Sequence, residues 1–321
     1  MPFRDATKLC KEFLLVSISA TMAEQVVSRV GYSLHKAQEK KGRLPYAIAK
    51  REKDVDTLYI EADGAMVPLL FGNGREYKEN KLGIVFNNKD IHHCHHKDGT
   101  PFCEIYRKKM VSSLAEGVEP FKKMLYAAAV EKGVHRASQV IFLSDGASWL
   151  GKCKEEYFPD AIQILDWYHA VEHLWVTAHT LFGEANTEKC REWVTPLEEL
   201  LWEGRVDEVI KKLTEMALSS RRKQQTALFE LRGYYVSNKA NMNYAYYREN
   251  GWYIGSCAIE SANKYVVAQR LKLSGMQWKT HTADAMIWAR CKYFENEWDF
   301  FWNTMEPAEY LNQPVQIREA A

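Results

Sequence analysis

Two apolar runs in the chain each end in Asp-Gly: Leu58-Tyr59-Ile60-Glu61-Ala62-Asp63-Gly64 and Val140-Ile141-Phe142-Leu143-Ser144-Asp145-Gly146. Each has the length and apolar density of a buried strand that delivers a carboxylate and then turns. A carboxylate beside a hydrophobic sheet is costly unless it is paired or binds a cation. A third candidate, Glu260, lies near the start of a helical stretch in Gly255-Ser256-Cys257-Ala258-Ile259-Glu260-Ser261-Ala262-Asn263-Lys264. Asn263 and Lys264 follow one turn on, along the same face. Glu61 and Asp63 share a strand face, because strand side chains alternate between the two sides. Two Asp and one Glu from three elements form an oxygen donor set suited to Mg²⁺, with Mn²⁺ as a substitute. Two such ions about 4 Å apart can activate a water or a 3′-hydroxyl and stabilise the leaving oxygen in phosphoryl transfer. Taken singly, each carboxylate has a plainer explanation. Asp-Gly after a strand is a common turn, and a glutamate early in a helix complements its dipole. The chemistry rests on the combination.

A second segment is Ile162-Gln163-Ile164-Leu165-Asp166-Trp167-Tyr168-His169-Ala170-Val171-Glu172-His173-Leu174-Trp175. A strand ends at Asp166 and a helix begins. Asp166 is placed to cap that helix, and His169, three residues on, faces the same side. A carboxylate beside the imidazole would raise its basicity and fix its orientation. The same letters spell His169-x-x-Glu172-His173, the pattern of a zinc protease in which the two histidines bind zinc and the glutamate is general base. That alternative needs a third ligand and leaves both Asp-Gly strand ends unexplained. Asp90-Ile91-His92-His93-Cys94-His95-His96, with Cys103 nearby, has zinc-ligand types at irregular spacing and reads as a polar loop between strands.

These residues need a scaffold. Residues 5–50 have helical spacing, with a Ser/Thr-rich start near Ser17, and suggest two short helices from part of a helix-turn-helix. From Asp56 the period shifts. Residues 57–70 and 82–87 read as strands joined by the polar Gly72-Asn73-Gly74-Arg75 region, and 102–107 as a third strand. A helix over 114–132 ends at Gly133; strand 139–145, a helix near 148–156 and strand 161–166 follow. Residues 168–232 are helical, and helices return at 258–272 and 281–304. This order fits an α/β fold with an RNase H-like mixed sheet core and a helical insertion before its last helix. The expected divisions are an N-terminal helical region (1–55), the first part of the core (56–175), the helical insertion (176–250), the final core helices with Glu260 (251–305) and a tail (306–321).

The 321 residues are 46% hydrophobic, enough for a substantial core, and carry a net charge of +1. The charge is unevenly spread: residues 151–210 have a net of −8 and residues 221–280 a net of +7. The basic stretch also holds Tyr234, Tyr235, Tyr244, Tyr246, Tyr247, Trp252, Tyr253 and Trp278. Basic residues among aromatics suit a nucleic-acid backbone and unstacked bases, and equally a solvated basic surface over an aromatic core. Lys264, Arg270, Lys272, Trp278, Lys279 and Arg290 are the candidate DNA contacts on charge and aromaticity. Seven dispersed cysteines without a Cys-x-x-Cys pair argue for reduced thiols inside a cell. No stretch is apolar over the ~20 residues a membrane helix requires, and no signal peptide opens the chain.

With these motifs in place, the chain resembles the bacterial insertion-sequence transposases of the Kra group, DDE enzymes akin to the Mutator-like transposases. The resemblance runs from about residue 10 to 305. It rests on Glu61-Ala62-Asp63-Gly64-Ala65-Met66-Val67-Pro68, on Phe142-Leu143-Ser144-Asp145-Gly146-Ala147, on the Asp166-x-x-His169 block, and above all on Gly255 to Trp278. Ala285-Met286-Ile287-Trp288-Ala289-Arg290 and Glu297-Trp298-Asp299-Phe300-Phe301-Trp302 also match. It implies Asp63 and Asp145 as catalytic aspartates, Glu260 as the third metal ligand, and Asp166 with His169 as support beside the active site. It further implies Mg²⁺-dependent cleavage and strand transfer on double-stranded DNA at transposon ends and target, a homo-oligomer (a dimer) on DNA, and a cytoplasmic, nucleoid-associated protein. Two departures stand out. Cys257 occupies a position where the family usually has Gly, and the chain begins later than family members do. Both point to the alternative of a shortened or domesticated DNA-binding relative without transposition activity.

Overall fold

The structure, a computed structural model, describes residues 2–14, 16–44, 54–72, 74–95, 97–99, 101–114 and 117–304. The expected C-terminal tail, 306–321, and part of the expected N-terminal helical stretch, 45–50, lie outside the described residues. The chain forms two compact units, Met1–Val140 with Ala258–Ala321, and Ile141–Cys257.

The first unit opens with α1 (Phe3–Leu14) and α2 (Ala20–Gly42). Ser19 caps α2 by accepting the Met22 N–H at 3.0 Å. The expected pair of short helices is instead one of 12 residues and one of 23. Next come β1 (Val55–Phe71) and β2 (Gly74–Asn87), a long antiparallel hairpin in register from Phe71 opposite Gly74 to Leu58 opposite Asn87. Gly74 and Arg75, expected in the polar connection, and residues 76–81, expected in neither strand, are therefore part of β2. Their Lys/Glu-rich composition hides them, and their pairing with the β1 backbone holds them. A short hairpin of β3 (Ile91–His95) and β4 (Pro101–Ile105) forms a two-stranded sheet of its own, where the sequence suggested a loop and then the third core strand. The third strand is β5 (Lys109–Ser113), antiparallel to β2 from Lys81 opposite Ser113 to Val85 opposite Lys109. Helix α3 (Val118–Glu131) follows, and Gly133 takes the left-handed φ of +94° that favours glycine after a helix.

Strand β6 (Ala137–Ser144) runs from the first unit into the second. There α4 (Ser148–Tyr157) leads to β7 (Ile162–Leu165), parallel to β6 from Ile141 opposite Ile162 to Ser144 opposite Leu165. The strand order is β5-β2-β1-β6-β7, a five-stranded mixed sheet. The rest of the second unit is helical: α5 (Trp167–Phe182), α6 (Thr187–Trp202), α7 (Val206–Ser219), α8 (Arg222–Asn238) and the short α9 (Tyr244–Glu249). Leu174, Val194, Leu201, Leu213 and Leu228 are fully buried there. Tyr235 is buried with them and donates its hydroxyl to the Ala170 carbonyl at 2.8 Å.

The first unit resumes with α10 (Cys257–Ala262), a π-helical turn over Asn263–Ala268, and α11 (Gln269–Leu271). Then come α12 (Thr280–Phe294) and α13 (Trp298–Thr304). Its core gathers Leu58, Ile60, Val67, Leu82, Ile84 and Phe121, all essentially inaccessible to solvent. Helix α2 packs on α12 at Gly31, where a Cβ would stand 2.0 Å from the Ala285 carbonyl oxygen, so the backbones meet only because Gly31 has no side chain. At the same contact His35 is hydrogen-bonded to Asp284 at 2.7 Å and stacked on Trp288. Among the described residues no helix is long and apolar enough to cross a membrane.

Candidate active-site carboxylates

Glu61 and Asp63 project from the same side of β1, as alternation requires. Glu61 is 0% exposed, and its Oε2 accepts the Ile259 N–H at 2.9 Å. That amide belongs to the first turn of α10, where backbone N–H groups lack intrahelical acceptors. A buried carboxylate is tolerable there because it satisfies such a donor and faces the positive end of the helix dipole. Asp63 is half-buried. Its Oδ1 accepts the Gly64 N–H at 2.6 Å, and its Oδ2 accepts the Asn263 side-chain N–H at 2.6 Å. Glu260 lies between these two ties, one residue after Ile259 and three before Asn263, with its side chain exposed. The helix segment bearing Glu260 is thus fastened at two points to the strand bearing Asp63.

The turn over Asn263–Ala268 is π-helical, a geometry that recurs at functional sites. Arg290 of α12 supplies donors there: its Nε lies 3.1 Å from the Tyr265 carbonyl and 3.0 Å from that of Val266. Burial lowers its pKa from the ordinary arginine value. Arg290 therefore braces the backbone below Glu260. Arg270 and Trp278, two further candidate DNA contacts, are each only 5% exposed. The Arg270 guanidinium lies 4.5 Å from the Trp278 ring centroid and 5.0 Å from that of Phe3, and burial lowers its pKa to about 10. Charge next to aromaticity marks an internal stack here, which corrects their assignment as surface contacts. Lys264, Lys272 and Lys279 are exposed.

In the second unit Asp145 follows β6. Its Oδ1 accepts the Ala147 N–H at 2.8 Å, and its carbonyl accepts the Tyr234 hydroxyl at 2.8 Å. Gly146 adopts φ +91°, and a Cβ there would press on Asn238 and Leu165 at 3.1 Å, so the Asp-Gly pair is a structural need. Burial raises the Tyr234 pKa well above the usual phenol value, helped by Asp145, Asp166 and Glu172. Asp166, 1% exposed, caps α5 by accepting the Tyr168 N–H at 2.8 Å, and its other oxygen accepts the Ser256 hydroxyl. The Trp167 N–H donates to Ile254 at 2.8 Å, and a Cβ on Gly255 would lie 2.5 Å from the Tyr168 ring. The Asp-x-x-His block therefore holds the 254–256 segment that leads into α10.

His169 is placed differently from the expected dyad. Its Nδ1 is 3.6 Å from Glu172, while the Asp166 carboxylate is turned to the helix start and Ser256. Helix capping takes one Asp166 oxygen and the Ser256 hydroxyl the other, the two that an imidazole could have shared. His173 lies against the Tyr234 ring with centroids 4.0 Å apart, and burial lowers its pKa. Among the described residues no group of three or more His, Cys, Asp or Glu side chains is gathered closely enough to hold a metal ion. This covers the zinc set His169, Glu172 and His173 and the candidate carboxylates alike. The sequence places Glu61 on the strand face of Asp63 but assigns no role to it or to Ser256. Glu61 carried a usable signal, an acidic residue at a core position of a strand, but its partner lies 198 residues away.

No protein of curated function matches the chain. One family model does, over residues 3–299. The chain belongs to the uncharacterised protein family UPF0236.

Proposed function

We propose that this protein is the catalytic region of a DDE transposase of the Kra insertion-sequence type, cutting DNA at transposon ends and joining the freed 3′-hydroxyl to target DNA. The observation that carries this is the pair of hydrogen bonds, Glu61 to Ile259 and Asp63 to Asn263, that docks the Glu260 helix on the Asp63 strand. The strand order β5-β2-β1-β6-β7, antiparallel at one side and parallel at the other, supports an RNase H-like core. In this reading the helices after β7, between Asp166 and Glu260, would be the helical insertion.

Asp63, Asp145 and Glu260 would hold Mg²⁺. The donor chemistry fits: all are carboxylate oxygens, the type a hard cation selects. The Asn263 Oδ1, beside Asp63, is buried without a hydrogen-bond partner and offers one more oxygen. Mg²⁺ bound there would supply an activated water and charge stabilisation for an in-line phosphoryl transfer. The chain's own part is positional. Glu61 fixes the start of α10, Asn263 orients Asp63, and Arg290 braces the π-helical turn. Asp166 and Ser256 anchor the approach to that helix. Lys264, Lys272 and Lys279 give exposed positive charge suited to DNA phosphates.

The test is Mg²⁺-dependent cleavage of a plasmid carrying the DNA that flanks the gene on both sides. The wild-type chain should release ends bearing 3′-hydroxyls. Asp63→Asn, Asp145→Asn and Glu260→Gln should each lower cleavage about 100-fold or more while DNA binding persists. A folded wild-type chain that binds these ends and never cuts them would point to the non-catalytic derivative instead. Cys257, one ground for that alternative, is exposed at the start of α10.

A further inference from the structure

We propose that the outer edge of β2 over residues 74–80 is a docking surface for a second copy of this chain, the two β2 strands pairing antiparallel about a two-fold axis at Tyr77. The hairpin of β1 and β2 outreaches the strand beside it. Strand β5 covers β2 only from Lys81 to Val85. Among the described residues no strand lies against 74–80 on that side, and Arg75, Glu76, Tyr77 and Glu79 are exposed. The other edge of the hairpin tip is tied down, because the Leu70 N–H donates to the Trp278 carbonyl at 2.8 Å. An uncovered edge is a template for another strand.

The direction of the free backbone groups follows from the register. Leu70 is opposite Arg75 and Pro68 is opposite Tyr77, with no bulge along the pairing. Leu70 turns its N–H away from β2, and Pro68 has no N–H to offer. These are therefore non-hydrogen-bonded pairs of the hairpin, so Arg75, Tyr77 and Glu79 turn their N–H and C=O groups outward. On the far side Met110, opposite Ile84, gives its N–H to Glu295 rather than to β2, as the same alternation requires. In a pairing centred on Tyr77, Tyr77 meets its own copy and Arg75 meets Glu79. Each such pair would exchange two backbone hydrogen bonds.

The side chains select that register. Antiparallel pairing about Tyr77 sets Arg75 against Glu79 and Glu76 against Lys78, opposite charges in both cases. A shift by one residue sets Arg75 against Lys78 in one direction and Glu76 against Glu79 in the other. The next shift sets Glu76 against Glu76, or Lys78 against Lys78. Like charges directly opposite are destabilising, so the neighbouring registers are disfavoured. Charge that merely guarded an edge would need only one sign, whereas this order is complementary to its own reverse. Tyr77 is 60% exposed and Met66 48%, and they share a hairpin face with Pro68. The axis would bring two such apolar patches side by side, and the closed two-fold pairing consumes the edge.

The experiment uses the full chain without DNA or added metal, so its outcome is independent of the cleavage reading. Sedimentation equilibrium from about 1 to about 200 µM should show a monomer–dimer equilibrium. Tyr77→Pro removes only an outward N–H, so the hairpin persists while dimer affinity should fall about 30-fold or more. Glu79 also meets Lys81 of its own strand at 2.7 Å, so the charge test falls on Glu76 and Lys78. Glu76→Lys and Lys78→Glu should each weaken the dimer about 10-fold, since the axis repeats each like-charge contact. Glu76→Lys combined with Lys78→Glu restores opposite charges and should return affinity to within about 3-fold of the wild type. Circular dichroism verifies folding of each variant. A folded wild-type chain that stays monomeric at about 200 µM would overturn the proposal, and so would a dimer indifferent to Tyr77→Pro. Single charge variants that leave the dimer unweakened, or that the combined exchange fails to rescue, would overturn the register.

Discussion

The carboxylate of Glu61, wholly buried on β1, accepts the backbone N–H of Ile259 at the start of α10, 198 residues away in sequence. This bond sets where the helix begins relative to the strand, and Glu260 is the next residue. Glu61→Ala would leave a buried helix-terminal N–H without an acceptor and should cost about 1–3 kcal/mol. Glu61→Gln keeps an acceptor, loses the charge facing the dipole, and should cost less, about 0.3–2 kcal/mol. Urea unfolding midpoints give both values. DNA cleavage measured below the onset of unfolding should fall in the same order, although Glu61 is not a proposed metal ligand.

Asp166 and Ser256 form a second anchor. Asp166 accepts from the Tyr168 N–H and from the Ser256 hydroxyl while nearly inaccessible to solvent. Asp166→Ala removes both a helix cap and a buried hydrogen bond and should cost about 2–4 kcal/mol. Ser256→Ala should cost about 1–3 kcal/mol. Because they share one bond, the double variant should be less destabilised than the sum by at least ~0.5 kcal/mol. Equilibrium denaturation of the four proteins of the cycle measures this, and strict additivity would count against the coupling.

Acid sensitivity should arise at His173. Its folded-state pKa is lowered below the ordinary 6.5, first by burial and then by His169. The folded protein therefore keeps the ring neutral at pH values where the unfolded chain protonates it. The stabilisation is intact above about pH 6.5 and declines as pH falls through the lowered value. His173→Phe retains an aromatic ring against Tyr234 and removes the titration. Its unfolding free energy should fall less than that of the wild type between pH 7 and pH 5. An unchanged slope would show that other groups carry the acid sensitivity.

Arg290, a candidate DNA contact on charge, donates to the Tyr265 and Val266 carbonyls of the π-helical turn. Arg290→Lys keeps the charge but loses the planar fork that reaches two acceptors. It should lower cleavage while leaving the salt dependence of DNA binding unchanged. A shallower salt slope for the variant would restore the view that Arg290 meets phosphate.

Much of the sheet and its helices could be read along the chain, because the β1, β6 and β7 segments are apolar runs closed by turn residues. The polar half of β2 could not, since Arg75 to Lys81 has no apolar alternation and is strand only by pairing with β1. Strand β3 was hidden for the same reason, being built mostly from histidine and cysteine, while the strand expected at 102–107 overlaps β4 and pairs with β3 outside the main sheet. At the candidate site, Asp63, Asp145, Asp166 and Glu260 were identifiable from type and position. What those residues bond to was not. Asp166 was read as a partner for His169, whereas the helix start and Ser256 hold both its oxygens. Arg270 and Trp278 show the limit of charge patterning: the same letters describe a DNA-binding face and a buried guanidinium stacked on indole.

The central claim is that Asp63, Asp145 and Glu260 ligate the metal used for DNA cleavage. The most direct measurement replaces each in turn by cysteine and assays cleavage of the flanking-end DNA in Mg²⁺ and in Mn²⁺. A thiolate ligates Mg²⁺ poorly and accepts softer Mn²⁺ more readily. The expected result is loss of cleavage in Mg²⁺ for all three variants and partial recovery in Mn²⁺ for at least one, while Glu61→Cys shows no such metal-dependent recovery. Wild-type cleavage in Mg²⁺ by any of the three would contradict the account.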